Sequence, residues 1–154
     1  MSLQPTVSKA HSNAPTLSPQ QKLEEAVAII KDIKTAMLTS RAQDGKLASR
    51  AMQPTDIGTL GTSISFFANA ESGKTDDLEH DPNVNISFLD PKSADWVSVA
   101  GKATIERDEA AKKKHWSKAV EAWFDKGHKP EHTGKHDDPR AILIVVHPEE
   151  IREC

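Results

Sequence analysis

The chain has 154 residues, with 20 Lys plus Arg against 23 Asp plus Glu, a formal net charge of −3 and a mean hydropathy of −0.57. That length supports one domain with a sizeable core, and the charge argues against general nucleic-acid affinity while leaving room for a local basic pocket. No apolar run approaches the ~20 residues of a membrane span, no secretory pattern opens the chain, and the lone Cys154 permits no intrachain disulfide. A cytoplasmic protein is expected, with neither nucleic acid nor membrane as partner.

Residues 1–19 are rich in Ser, Pro, Thr and Asn without an apolar period, and are expected to be a disordered tail ahead of a single domain at 20–154. Ser18-Pro19 reads as an N-cap followed by a first-turn proline. Leu23, Ala26, Val27, Ile30 and Ile33 follow at helical spacing, which predicts a helix to about Lys34.

Strand patterns come next. They cover residues 35–40, 46–53 after the Asp44-Gly45 hairpin signal, and 62–68 after a glycine-rich turn at 58–61. A short helix is predicted over 73–80, then a strand over 83–89 with Val84, Ile86, Phe88 and Leu89 buried. Another strand spans 96–106, with Trp96, Ser98 and Ala100 on one face and Val97 and Val99 on the other. Asp108 reads as the cap of one long helix to about Phe124, whose stripe is Trp116, Val120, Trp123 and Phe124. A loop over 125–139 precedes a sixth strand at 141–146. Six strands joined mostly by hairpin-length turns, with three helices, imply a mainly β antiparallel barrel with helical additions.

The stretch from Arg50 to Thr75 concentrates the chemistry. Arg50 sits on one strand. The next strand runs through Phe67 and Ala68 into Ser72, Gly73, Lys74 and Thr75 at a helix N-terminus. Helix N-termini favour anions, lysine adds a point charge, and arginine offers a planar fork of donors. Taken singly, Ser72 reads as an ordinary cap and Lys74 and Arg50 as solvated surface residues. Together they suit a phosphate.

Four motifs in order carry a resemblance: Ser49-Arg50-Ala51-Met52; Phe66-Phe67-Ala68-Asn69 leading to Ser72 and Lys74; Asp81-Pro82-Asn83-Val84-Asn85-Ile86-Ser87-Phe88; and Val97-Ser98-Val99 with Gly101-Lys102-Ala103. From about Ile29 to Val146 the chain resembles the FMN-binding split barrels, the pyridoxamine 5'-phosphate oxidase-like flavoproteins. Within them it is most similar to the general stress protein 26 branch and its fungal blue-light-inducible members, as His115-Trp116, Trp123-Phe124 and Asp137-Asp138-Pro139-Arg140 support.

The resemblance implies a six-stranded antiparallel Greek-key split barrel, FMN as cofactor, and a homodimer with two flavin sites at its interface. It implies that Arg50 and Lys74 hold the phosphate with help from Ser72. Arg50, Ala51, Met52 and Gln53 would run along the flavin, Phe67 and Ala68 would line its other side, and Trp96 would reach across from the partner subunit. The chain departs from the pattern at three places. Gly73 stands where the oxidases carry a second phosphate-binding arginine, Ala51 where many relatives have proline, and Ala68 where threonine is frequent. The oxidases' C-terminal Trp- and Arg-bearing segment has no counterpart before Cys154, so pyridoxamine-phosphate oxidase activity itself is not expected.

The expected role is a stress-related oxidoreductase whose flavin does the redox chemistry; no catalytic acid or base is assigned. The alternatives are a non-catalytic flavin-binding or sensing module, the same barrel holding haem or deazaflavin, and a plain interaction domain. His128, His132 and His136 recur every four residues, but Gly127, Pro130 and Gly134 oppose a helix there, so a mobile solvated loop is expected rather than a metal site. Met37 and Met52 read as barrel packing, and Trp116 and Trp123 as core or dimer packing with a flavin contact as the second reading.

Overall fold

The structure is a computed structural model that describes residues 4–9, 17–124 and 127–154. Among these residues eight strands form one curled sheet: β1 (Thr6–Lys9), β2 (Ala36–Arg41), β3 (Leu47–Met52), β4 (Asp56–Ile57), β5 (Ile64–Asn69), β6 (Asn83–Leu89), β7 (Trp96–Glu106) and β8 (Ala141–Glu153). Four α-helices among them flank it: α1 (Pro19–Asp32), α2 (Gly73–His80), α3 (Glu109–His115) and α4 (Lys118–Trp123). The order across the sheet is β3-β2-β6-β7-β8-β5-β4, with β1 paired to β8, and every pairing but that last one is antiparallel.

The six expected strands are all present, and β1 and β4 are short additions to them. β1 corrects the expectation for the N-terminal segment. The first half of β8 lies between β5 and β7, so beyond Val146 one edge of β8 is free of β5. Thr6–Lys9 takes that edge, in register with Glu150 to Glu153. The remainder of the tail expectation, residues 1–3 and 10–16, lies outside the described residues.

Alternation sets the inner face of the curl. Leu38 on β2, Val84, Ile86 and Phe88 on β6, and Val97, Val99 and Ala103 on β7 point inward and are buried. Ile142, Ile144, Val146 and Ile151 of β8 join them, with Ile64, Phe66 and Ala68 of β5. Leu89, expected on this face, is instead 59% exposed, because it follows inward-pointing Phe88 at the strand end. Met37 also faces outward, 41% exposed, rather than packing in the barrel.

α1 closes the curl with Leu23, Ala26 and Ile30. Its start is the capping box the sequence announces: Gln21 N–H donates to Ser18 Oγ at 3.2 Å and Ser18 N–H to Gln21 Oε1 at 2.9 Å. The β2–β3 hairpin turns on Gly45, whose φ of +88° favours glycine. A register shift in the long β7–β8 pair lies at Ala100/Gly101, with Gly101 opposite Pro148. A Cβ at Gly101 would collide with the His147 carbonyl, so only glycine admits this approach.

The expected helix over 108–124 is two helices. Trp116 leaves α3 in an extended conformation (φ −69°, ψ 135°), and Ser117 caps α4 by accepting from Val120 N–H at 3.2 Å. The carbonyl of His115 at the end of α3 receives the Thr55 hydroxyl at 3.1 Å, which satisfies a group the broken helix would strand.

Candidate functional site

Strand β3 places Arg50 on the inner side of its pleat, half-buried, with Nη1 donating to the hydroxyl of buried Ser40 at 2.9 Å. Lys74 belongs to the first turn of α2. Burial pushes its pKa below the ordinary lysine value, and the nearby Arg50 charge pushes it further the same way. Among the described residues no carboxylate pairs with either cation. Two cations close enough to repel, without an anionic partner among the described residues, form a site suited to an external anion.

The N-terminus of α2 adds donors. Ser72 sits at the N-cap, but its hydroxyl does not cap the helix; it donates to the Asn69 carbonyl at 2.7 Å. A hydroxyl has one hydrogen, so Ser72 in this arrangement shapes the turn instead of donating to a ligand. The missing side-chain cap leaves the N–H groups of Gly73 and Lys74 available at the positive end of the helix. Position 73 has open space around it: no atom lies within 4 Å of where a Cβ would stand.

Beside Lys74 lies a cavity of about 380 Å³, within the range of small-ligand pockets. One side is the end of β3 and its continuation, Ala51 through Thr55, with Phe67 and Lys74 beneath. The other side is the α3–α4 corner, with His115, Ser117, Ala119, Val120 and Trp123.

The structure therefore brings Ala51, Met52, Gln53, Phe67 and Lys74 to one cavity and places Arg50 next to it. Ala68 is not part of it. Successive strand side chains point to opposite faces, so Phe67 faces the cavity while Ala68 lies fully buried in the core. Trp96 is elsewhere too: it opens β7 opposite Leu89, its backbone paired with Cys154. Thr55, His115 and Ser117 enter the site without having been singled out for it, and Trp123 enters it in line with its second reading as a flavin contact.

An aromatic set backs the cavity. Phe67 meets the Trp116 ring edge-on at 5.1 Å, and Trp116 meets Phe124 at 6.0 Å. The Arg140 guanidinium stands 5.2 Å over Phe124. Asp138, fully buried, grips Arg140 through Nε at 3.1 Å and Nη2 at 2.9 Å, and also accepts from Gly134 N–H at 2.8 Å. Burial opposes ionisation of this carboxyl, but the Arg140 side chain and the two backbone N–H donors outweigh it and hold the pKa well below the usual carboxylate range.

Within the described part of 125–139, which remains a loop with 128–131 exposed, that clamp buries Asp138, and His132 is buried as well. Residues 125–126 lie outside the described residues. His132 faces Glu71 at 4.0 Å and His136 faces Glu109 at 3.8 Å, while His128 is exposed. The histidines have different neighbours, and among the described residues no group of three metal-ligating side chains forms. Among these residues no helix is long and apolar enough to cross a membrane.

The family model described as pyridoxamine 5'-phosphate oxidase like matches residues 21–152. The chain belongs to this family. It is 33% identical over 136 residues to general stress protein 26 of Bacillus subtilis, covering 86% of this chain and 89% of that one, which places it in that branch. It is 38% identical over 127 residues to protein bli-3 of Neurospora crassa, covering 82% of this chain but only 61% of that protein. The chain thus spans about three fifths of that relative's length. Among solved structures, a Clostridium acetobutylicum protein related to general stress protein 26 superposes with a TM-score of 0.73 at 18% identity, covering 88% of this chain and 89% of that one. An FMN-binding protein of Nostoc punctiforme related to pyridoxamine 5'-phosphate oxidase does so with 0.65 at 16%, covering 86% and 82%. These two likenesses show the split-barrel fold.

Proposed function

We propose that this protein is an FMN-binding flavoprotein that acts as a stress-related oxidoreductase, a homodimer with a flavin site at each end of its interface. The observation that carries the reading is the convergence of Arg50, Lys74 and the uncapped α2 N-terminus beside a ligand-sized cavity that Lys74 lines. FMN suits it, with a phosphate of roughly two negative charges near neutral pH tied to a flat ring. The Nostoc relative's FMN binding supports the same reading.

In this reading Arg50 presents its fork to the phosphate from a direction fixed by Ser40. Lys74 supplies a proton-bearing point charge, and the Gly73 and Lys74 N–H groups complete the cradle. The Ala51 to Gln53 backbone borders the ring, with Phe67 beneath it and away from water. Bound FMN supplies the electron-accepting chemistry. Met37 and Leu89, exposed on the outward sheet face, support pairing of two subunits, with Trp96 on the same face reaching toward the second site.

The test is an absorption spectrum across a sizing column, run with added FMN. Flavin bands that travel with a species of twice the chain mass of 16.9 kDa uphold the reading. A colourless protein that leaves added FMN free refutes it, and a coloured monomer refutes the dimer alone.

A further inference from the structure

Trp123 is 60% exposed at the rim of the cavity. Exposure by itself says little. What distinguishes this indole is how firmly its backbone is held. α4 is capped at one end by Ser117. At the other end the next residue, Phe124, is 4% exposed, lies edge-on to Trp116 and sits beneath Arg140, which Asp138 grips. The Trp123 ring leans on that anchored Phe124 at 5.7 Å. A largely uncovered indole on an anchored backbone thus borders a cavity whose lining holds one lysine, Lys74, while the α3–α4 corner adds His115, Ser117, Ala119 and Val120. Such a wall is complementary to a flat, uncharged ring whose anionic group lies at the cation end.

We infer that Trp123 is the stacking wall of the site, packing its indole on the face of the flavin ring turned away from β3. The inference rests on the FMN reading and divides recognition in two. Arg50 and Lys74 read the phosphate, and Trp123 reads the ring. Riboflavin, which has the ring without the phosphate, engages only the second half.

The experiment titrates the wild type, Trp123→Ala, Trp123→Phe and Lys74→Ala with FMN and with riboflavin, following flavin fluorescence, and records each variant's unfolding midpoint. Trp123→Ala is expected to weaken both ligands by the same factor, roughly tenfold, as loss of one ring-stacking partner does. Trp123→Phe should restore most of that loss, and Lys74→Ala should weaken FMN alone. If the wild type binds FMN and Trp123→Ala binds it as tightly, the stacking wall is refuted and the FMN reading stands. If the wild type binds neither flavin, the FMN reading fails and takes the wall with it. Binding lost together with a lowered unfolding midpoint, unrestored by phenylalanine, or a change in solution mass in Trp123→Ala, assigns the indole to packing and overturns the inference.

Discussion

Burial lowers the pKa of Lys74, and the Arg50 guanidinium reaching in from β3 lowers it further, so two cations from separate elements share one small volume. A bound phosphate relieves that repulsion, and each cation then contributes through a charge-assisted contact. Arg50→Ala and Lys74→Ala should each weaken FMN by about ten- to a hundredfold, from roughly 1.5–3 kcal/mol per contact. Riboflavin affinity should not change. Equal losses for both ligands would place the phosphate elsewhere.

The same shift gives a pH dependence. A phosphate dianion prefers the protonated Lys74, whose folded-state pKa lies below the ordinary 10.5. FMN affinity should therefore hold near neutrality and fall as pH rises through that lowered value, sooner than an ordinary lysine would dictate. It should also fall below about pH 6, where the phosphate takes up its own proton. Lys74→Arg keeps its charge at all these values and should lose the alkaline limb only. An alkaline limb that persists in Lys74→Arg would show that another group titrates.

Asp138 predicts a different pH response, one of stability. Its folded-state pKa is depressed, so the stabilisation is present above the unfolded carboxyl pKa near 3.9 and is lost as pH falls below that toward the folded value. Asp138→Ala removes the carboxylate of a buried ion pair with Arg140, at a cost of about 3–5 kcal/mol. Denaturant unfolding at pH 7 should show that loss. Part of the acid sensitivity of the wild type should disappear in the variant. A variant as stable as the wild type would mean that the carboxylate is dispensable.

Strands β6 and β7 could be read from the sequence to their observed ends because one face of each is buried and the other is not, which leaves alternation visible. β5 defeats that signal. Ile64 through Ala68 are all buried, with Ile64, Phe66 and Ala68 in the core and Phe67 against Trp116, so nothing in the pattern separates Phe67 from Ala68. The α3–α4 break depends on Ser117, a residue equally at home on a helix surface; only the Thr55–His115 bond and the Trp116 packing reveal it as a cap. β1 has no apolar period because its order comes from the free edge of β8. The 127–140 loop looks solvated by composition, and the burial of its second half comes from one carboxylate that gathers Gly134 and Arg140.

The β7–β8 crossing makes Gly101 a sharp test of the fold. Any Cβ there meets the His147 carbonyl, part of the backbone, which cannot swing aside as a side-chain end could. Gly101→Ala should destabilise by about 1–3 kcal/mol or more, read from the denaturant midpoint, by forcing the two longest strands apart. Gly73→Ala meets no atom and should leave stability unchanged or slightly raised, since alanine favours helix over glycine by up to ~1 kcal/mol. Equal effects at the two positions would contradict the register shift at Ala100/Gly101.

Position 73 also offers a gain of function. It lies at the first turn of α2, next to Lys74 and facing open space, where an arginine's donors could join the phosphate cradle without displacing any atom. Gly73→Arg should tighten FMN by up to about tenfold through a further charge-assisted contact, while riboflavin binding stays as in the wild type. Free of ligand, the variant should be no more stable than Gly73→Ala, because a third cation joins two that already repel. With saturating FMN the order should invert, since ligand binding adds stability in proportion to affinity. Thermal unfolding of both variants, with and without FMN, tests this directly. An arginine variant that gains no affinity would mean that the phosphate does not lie at the α2 N-terminus, whatever else the cavity holds.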